Sequence, residues 1–234
     1  ELRIYKLKYP LKYESKIIKK KLYNKKINGK LIDYKNKAGK NKKRQLKISD
    51  KWIIQLFSSK CFYCGKQSTK KKLNGIDRKN NNKQYTYNNS VSCCSLCNMM
   101  KRSMNNYDFI NKCIHIADYE RSNGRINLCS ELFLDHRSVF YSKYKKNCIV
   151  MKRVFKISKN QFNKIKKNKC YLCGKNNKNH KNGIDRINNN LGYIMGNLIS
   201  CCGDCNNMKK DYDYNKFINK CNQIKYFNIQ KYLM

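Results

Sequence analysis

Eight of the fourteen cysteines fall into four Cys-x-x-Cys pairs: Cys61 and Cys64, Cys94 and Cys97, Cys170 and Cys173, Cys202 and Cys205. Two thiolates at this spacing on a turn point at one ion. A second pair about 30 residues on completes a tetrahedral four-sulfur set, the arrangement of structural zinc. Two Zn²⁺ ions, one for each four-cysteine set, are therefore expected. Cys93 and Cys201 adjoin these ligands and read as small buried side chains, as do Cys113 and Cys221. Cys129 and Cys148 match no pattern and receive no role.

Between the pairs lies a second kind of chemistry. Asn-Gly-Ile-Asp-Arg occurs at Asn74–Arg78 and again at Asn182–Arg186. The two copies belong to a tandem duplication. Aligned at an offset of 108, residues 74–116 and 182–224 are identical at 23 of 43 positions. Phe-Ile-Asn-Lys-Cys recurs at Phe109–Cys113 and Phe217–Cys221. Upstream, with a one-residue shift, Lys47-Ile48-Ser49 and the first Cys pair match Lys156-Ile157-Ser158 and the third. Self-similarity at this length marks two copies of one structural unit. Residues 1–46 are then a basic N-terminal arm, 47–118 the first module, 119–155 a connecting segment and 156–234 the second module.

The elements that must position these groups follow from the local pattern. Ser49 and Ser158 precede helical runs and read as N-caps. The first Cys pair of each module sits on a turn closed by Gly65 or Gly174. Asn-Gly-Ile-Asp-Arg reads as a short strand, and an Asn-rich turn leads past Tyr85 or Tyr193 into an apolar return strand. The second pair opens a short helix ending near Lys101 or Lys209. A last helix places Phe109, Ile110, Cys113 and Ile116, or Phe217, Ile218, Cys221 and Ile224, on one face. The fold class is thus α+β: two small zinc-bound ββα modules with flanking helices. Modules this small bury little core, so metal binding is expected to supply much of their folding energy.

Fifty-four Lys and Arg against 14 Asp and Glu give a formal net charge of +40. Such a chain repels itself unless an anion neutralises it, and nucleic acid is the first candidate. No run of about 18 apolar residues exists to span a bilayer. The stretch after Glu1 lacks an apolar signal core, so a secreted protein is not expected. Abundant Lys, Asn, Ile and Tyr, with a single Pro, also indicate an A+T-biased genome: an organelle, some protists or a large virus. Within 1–46, 17 basic residues face three acids, with aromatic and aliphatic residues interleaved. That pattern suits an arm that orders on nucleic acid.

Cys-x-x-Cys-Gly, then Gly-Ile-Asp-Arg, a Tyr, an Asn and Cys-Cys-x-x-Cys-Asn-x-x-Lys together resemble the HNH endonuclease superfamily, with its ββα-metal fold and four-Cys zinc. The resemblance covers most of both modules. It implies that Asp77 and Asp185 hold a catalytic divalent ion such as Mg²⁺, that Asn89 and Asn197 orient the loop, and that Asn98 and Asn206 make a further metal contact. The family's general-base His is replaced by Arg78 and Arg186. Arginine stays protonated and cannot be that base, but it can grip phosphate. Tyr85 and Tyr193 are poor bases, and His115, His136 and His180 match no family position.

Two readings follow. In the first, degenerate HNH-like modules bind nucleic acid, RNA over DNA, as a component of an organellar, mitochondrial ribosome with ribosomal proteins as neighbours. Arg78, Lys101, Arg102, Arg186, Lys209 and Lys210 would contact the nucleic acid. In the second, the chain is an active metal-dependent DNA endonuclease of homing or restriction type. A simpler account of Asp-Arg, a local ion pair between the two neighbours, fits either.

Overall fold

The computed structural model describes residues 10–39, 45–126, 132–134, 136, 139–176 and 182–232. Cys129, His180 and residues 1–9 of the arm lie outside them. Among the described residues the fold is a mixed α+β one, with eight helices and three two-stranded sheets. None of these helices is long and apolar enough to cross a membrane. The chain divides into two compact units, Glu1–Phe62 with Lys66–Ser95, and Tyr63–Gly65 with Leu96–Met234.

The first unit is built on helix α1 (Pro10–Gly39), helix α2 (Asp50–Ser58) and the hairpin of β1 (Gly75–Arg78) and β2 (Ser90–Cys93). Pro10 suits a first helical position, where its missing N–H costs nothing. Ile27, Leu31 and Ala38 are buried and Tyr34 is half-buried, a stripe at helical spacing that faces the module. The N-terminal half of α1 differs: Ile18 and Leu22 are exposed among lysines. The basic arm is therefore helical from Pro10, and from Ile27 onward it joins the packing of the first module. Ser49 caps α2 as expected, its Oγ accepting from the Trp52 N–H at 3.3 Å. Leu31, Ile53, Leu56, Phe57 and Ile76 form the core. Fully burying residues such as Ile53 and Phe57 contributes about 1.5–3 kcal/mol each.

The second unit holds helices α3 (Ser95–Lys101), α4 (Asn106–Arg121), α5 (Tyr141–Val150), α6 (Lys159–Lys166), α7 (Gly203–Lys209) and α8 (Tyr214–Tyr232). Its strands are β3 (Phe155–Lys156), β4 (Gly183–Arg186), β5 (Tyr193–Ile194) and β6 (Leu198–Cys201). β4 and β6 pair antiparallel with Asp185 opposite Ile199, the counterpart of Asp77 opposite Val91 on β1 and β2. β3 and β5 pair in parallel, and a single bridge between Leu46 and Tyr85 occupies the same place in the first copy. Ser158 and Gln161 form a capping box on α6.

The structural repeat reaches further upstream than the sequence identity. Tyr34 on α1 and Tyr144 on α5 occupy equivalent places. Each hydroxyl accepts from the N–H of the strand's Ile, at 2.9 Å for Ile76 and 3.2 Å for Ile184. Each ring is buried enough to raise its phenol pKa to about 12. A Cβ at Gly75 would lie 2.6 Å from the Tyr34 hydroxyl, and one at Gly183 2.9 Å from that of Tyr144. The glycine of each Asn-Gly-Ile-Asp-Arg is thus where a tyrosine from the preceding helix docks.

Candidate metal centres and the Asp-Arg strands

The four sulfurs of Cys61, Cys64, Cys94 and Cys97 lie within 4.8 Å of one another, as do those of Cys170, Cys173, Cys202 and Cys205, and all eight residues are buried. In the second group the Cys173 and Cys202 sulfurs are 3.7 Å apart. A tetrahedral ion with metal–sulfur bonds of about 2.3 Å sets its sulfurs about 3.8 Å apart, so the groups fit one such ion each. Burial opposes ionisation of Cys170, yet Cys173, Cys201, Cys202 and Cys205 hydrogen-bond to its sulfur and hold its pKa well below the usual thiol value. Burial, then the bond to Cys170, pushes Cys201 and Cys205 well up. A divalent cation bound among these sulfurs would displace the thiol protons. Cys93, Cys113 and Cys221 are buried as expected, and Cys148 is buried on α5.

Each turn carrying a first Cys pair is braced from α4 or α8, and the bracing is exchanged between copies. Within the second unit, His115 of α4 meets the Cys173 carbonyl oxygen at 3.0 Å, and the Tyr119 ring lies against Gly174. Reciprocally, Lys220 of α8 donates to the Cys64 sulfur at 3.4 Å, Asn228 donates to the Tyr63 carbonyl at 2.8 Å, and Phe227 lies against Gly65. Tyr119 and Phe227 are equivalent at the offset of 108. Gly65 and Gly174 also have positive φ, so a side chain there would be strained as well as crowded. Lys112, the equivalent of Lys220, turns instead to Asp204, donating at 2.6 Å. His136 contacts the other Asp204 oxygen at 2.6 Å. Burial works against that carboxylate, but the bonds from Lys112 and His136 outweigh it and lower its pKa. Two of the histidines without a family role are therefore structural.

The Asp-Arg pairs behave as braces. Arg186 does not pair with the Asp185 carboxylate through its guanidinium. Its Nη1 donates to the carbonyls of Asn189 at 2.7 Å and Leu191 at 3.3 Å, and its Nη2 meets Asp211 at 3.2 Å. In the first copy the Arg78 Nη1 likewise donates to the carbonyls of Asn81 at 3.0 Å and Lys83 at 3.2 Å. Both guanidinium groups stack over a ring, Tyr85 or Tyr193. Asn89 and Asn197 close the same loops. Each accepts from a backbone N–H and donates to two carbonyls, at Asn80 and Gln84 or at Asn188 and Gly192. Arg, Asn and Tyr together thus clamp the strand-to-strand loop from inside.

Asp185 has other partners. Its side chain accepts from the Tyr171 hydroxyl at 2.8 Å and sits 3.0 Å from the Lys209 ammonium. Burial, then the Asp185 charge, pushes the Tyr171 phenol far up, so it remains a donor. Lys209 has no solvent exposure, and its ammonium has no hydrogen-bond partner among the described residues, so the contact with Asp185 is one of charge. A neighbour-to-neighbour Asp-Arg ion pair is therefore not what forms in the second copy; the carboxylate pairs with a lysine from α7. In the first copy Asp77 and Lys101 are likewise buried.

Of the residues expected to touch nucleic acid, Lys101 and Lys209 are fully buried and Arg78 and Arg186 nearly so. These ammonium groups cannot reach phosphate without leaving the interior. Arg102 is exposed and Lys210 half-exposed, each at positive φ just after its helix. Asn98 is exposed and Asn206 half-exposed, and Asn206 is not among the partners of Asp185. Sequence reasoning missed Tyr34, Tyr144 and Tyr171 and the role of the two lysines. The repeated Lys at the helix end was the signal for the last of these, since a residue kept in both copies without exposure must satisfy something inside.

No family model matches the chain, and no solved structure matches it. An uncharacterized protein of Acanthamoeba polyphaga mimivirus is 37% identical over 215 residues, which is 92% of this chain. The chain spans 39% of that relative's length.

Proposed function

We propose that this chain binds nucleic acid through two zinc-stapled HNH-like modules that no longer hydrolyse phosphodiesters, with RNA favoured over DNA. The buried Asp185–Lys209 pair carries the reading. A hydrolytic cation needs a carboxylate with open coordination positions beside it. Asp185 is 6% exposed and already meets an ammonium, a hydroxyl and a backbone N–H. The position of the family's base is filled by a guanidinium committed to loop carbonyls. The net charge of +40 and the exposed lysines of α1 support the nucleic-acid partner. The setting rests on composition alone: an A+T bias fits the organellar ribosome, and it fits equally the genome of a large virus, where the relative is found.

The test has two arms. Gel-shift titrations with a folded RNA and a DNA duplex over a range of KCl are expected to show tight binding that weakens steeply with salt. Incubation with supercoiled plasmid and Mg²⁺ or Mn²⁺ is expected to leave it intact. Nicking that disappears in an Asp77→Ala/Asp185→Ala double variant would overturn the non-catalytic reading.

A further inference from the structure

The two strand-to-strand loops share one internal frame and display different chemistry. Arg78 and Asn89 hold the first and Arg186 and Asn197 the second, bond for bond. On this frame the first copy presents Lys79 and Lys83. At the equivalent positions the second presents Ile187, 52% exposed, and Leu191, 45% exposed. Met195 and Val154 are also half-exposed, and Val154 lies against Gly192 in the middle of the loop. Its counterpart in the first copy, by the matching backbone bond to Tyr85, is Gln45. Three aliphatic side chains of this loop, with Val154 packed against its middle, are thus left in water, and exposed apolar groups gathered on one braced segment mark a binding surface.

We propose that this second-copy loop is an apolar wedge that enters a base step of duplex nucleic acid, while the first-copy loop grips phosphate. The inference rests on the nucleic-acid reading above. The surroundings of the patch select the occupant. Lys152 and Lys156 are exposed and Arg153 half-exposed beside Val154, and the exposed Asp211 lies 3.9 Å from Arg153; three cations against one carboxylate leave a net positive rim suited to the phosphates that flank a base step. Association with a second copy would set these same cations against one another, in a chain already at +40. Single strands are held by stacking on aromatic rings, which this patch lacks, whereas apolar wedges that part stacked base pairs include Ile, Leu and Met. A wedge must also resist being pushed aside, and the buried Arg186 and Asn197 bonds fix the loop before any partner arrives. The step it enters would be an easily unstacked pyrimidine–purine step.

The probe is a short duplex with a central pyrimidine–purine step in which 2-aminopurine replaces the adenine, made once as DNA and once as RNA. Binding of the full chain is expected to raise 2-aminopurine fluorescence in whichever duplex it deforms. In Ile187→Lys/Leu191→Lys, which installs the first copy's residues at exposed positions, binding is retained and the rise is lost. Two added cations should steepen the slope of log K against log salt by up to about 2. Binding by the wild-type chain without a rise in either duplex, or an equal rise with the variant, would overturn the wedge alone. Failure to bind either duplex while the folded RNA is still bound would overturn the wedge alone, and failure to bind all three would overturn it together with the nucleic-acid reading. Sedimentation showing a wild-type dimer that the variant dissolves would assign the patch to self-association instead.

Discussion

Lys209→Met should destabilise the second unit severely, and Asp185→Asn should do so more. Asp185 is 6% exposed and Lys209 not at all, so neither charge can turn to water when its partner is removed. Breaking a buried pair by removing one member costs about 3–5 kcal/mol. The two members are unequally supported. Without Lys209, the carboxylate keeps the Tyr171 hydroxyl at 2.8 Å and the Arg186 N–H at 2.9 Å. Without the carboxylate, the ammonium keeps no hydrogen bond among the described residues. Lys209→Met therefore belongs near 3 kcal/mol and Asp185→Asn near 5 kcal/mol on that scale. At about 2–4 °C per kcal/mol, melting temperatures fall by roughly 6–12 °C and 10–20 °C. The double variant should melt above Asp185→Asn alone, with a coupling energy of at least about 3 kcal/mol. Thermal melts followed by circular dichroism, at equal metal content, measure all four proteins. A Lys209→Met protein within 1 °C of wild type, or a double variant that is simply the sum of the singles, would refute the pair as an internal brace and reopen Asp185 as a metal ligand.

Two further outcomes follow from the same geometry. Purified protein should carry two equivalents of zinc by elemental analysis, Cys61→Ser or Cys170→Ser should each lose one, and a strong chelator should melt the fold. Structural zinc supplies about 10–16 kcal/mol, which is comparable to the whole stability of a domain; an unchanged melt after verified metal removal would contradict this. Gly75→Ala should be more damaging than Tyr34→Phe, because its Cβ would sit 2.6 Å from the Tyr34 hydroxyl whereas the phenylalanine loses bonds worth about 1 kcal/mol each. Tyr34→Phe should partly rescue Gly75→Ala, and no rescue in a denaturant titration would mean that the hydroxyl does not dock there.

Local chemistry made much of this protein readable in one dimension. A tetrahedral ion needs four soft ligands, and two turns present them at a fixed spacing, so the eight cysteines and their grouping were legible from sequence alone. So were the duplication, the Ser49 and Ser158 caps, and the strand-turn-strand path around each Asp-Arg, because glycine, asparagine and serine act over two to four residues. The chemistry of the Asp was not legible. Asp185 meets Lys209 and Tyr171, which come from other parts of the copy, and only packing sets those distances. The same holds for Tyr34 and Tyr144. Each lies on a helix that sequence identity had left out of the repeat, since a docked hydroxyl constrains one residue and not its neighbours. The exchange of α4 and α8 between the copies' cysteine turns was equally hidden: a repeat written in one dimension does not say whose helix braces whose metal centre. The sequence by itself determined which residues recur and which could bind a metal. The tertiary structure decided that Arg78 and Arg186 look inward as loop braces, because only the folded loop brings two backbone carbonyls and a tyrosine ring around each guanidinium.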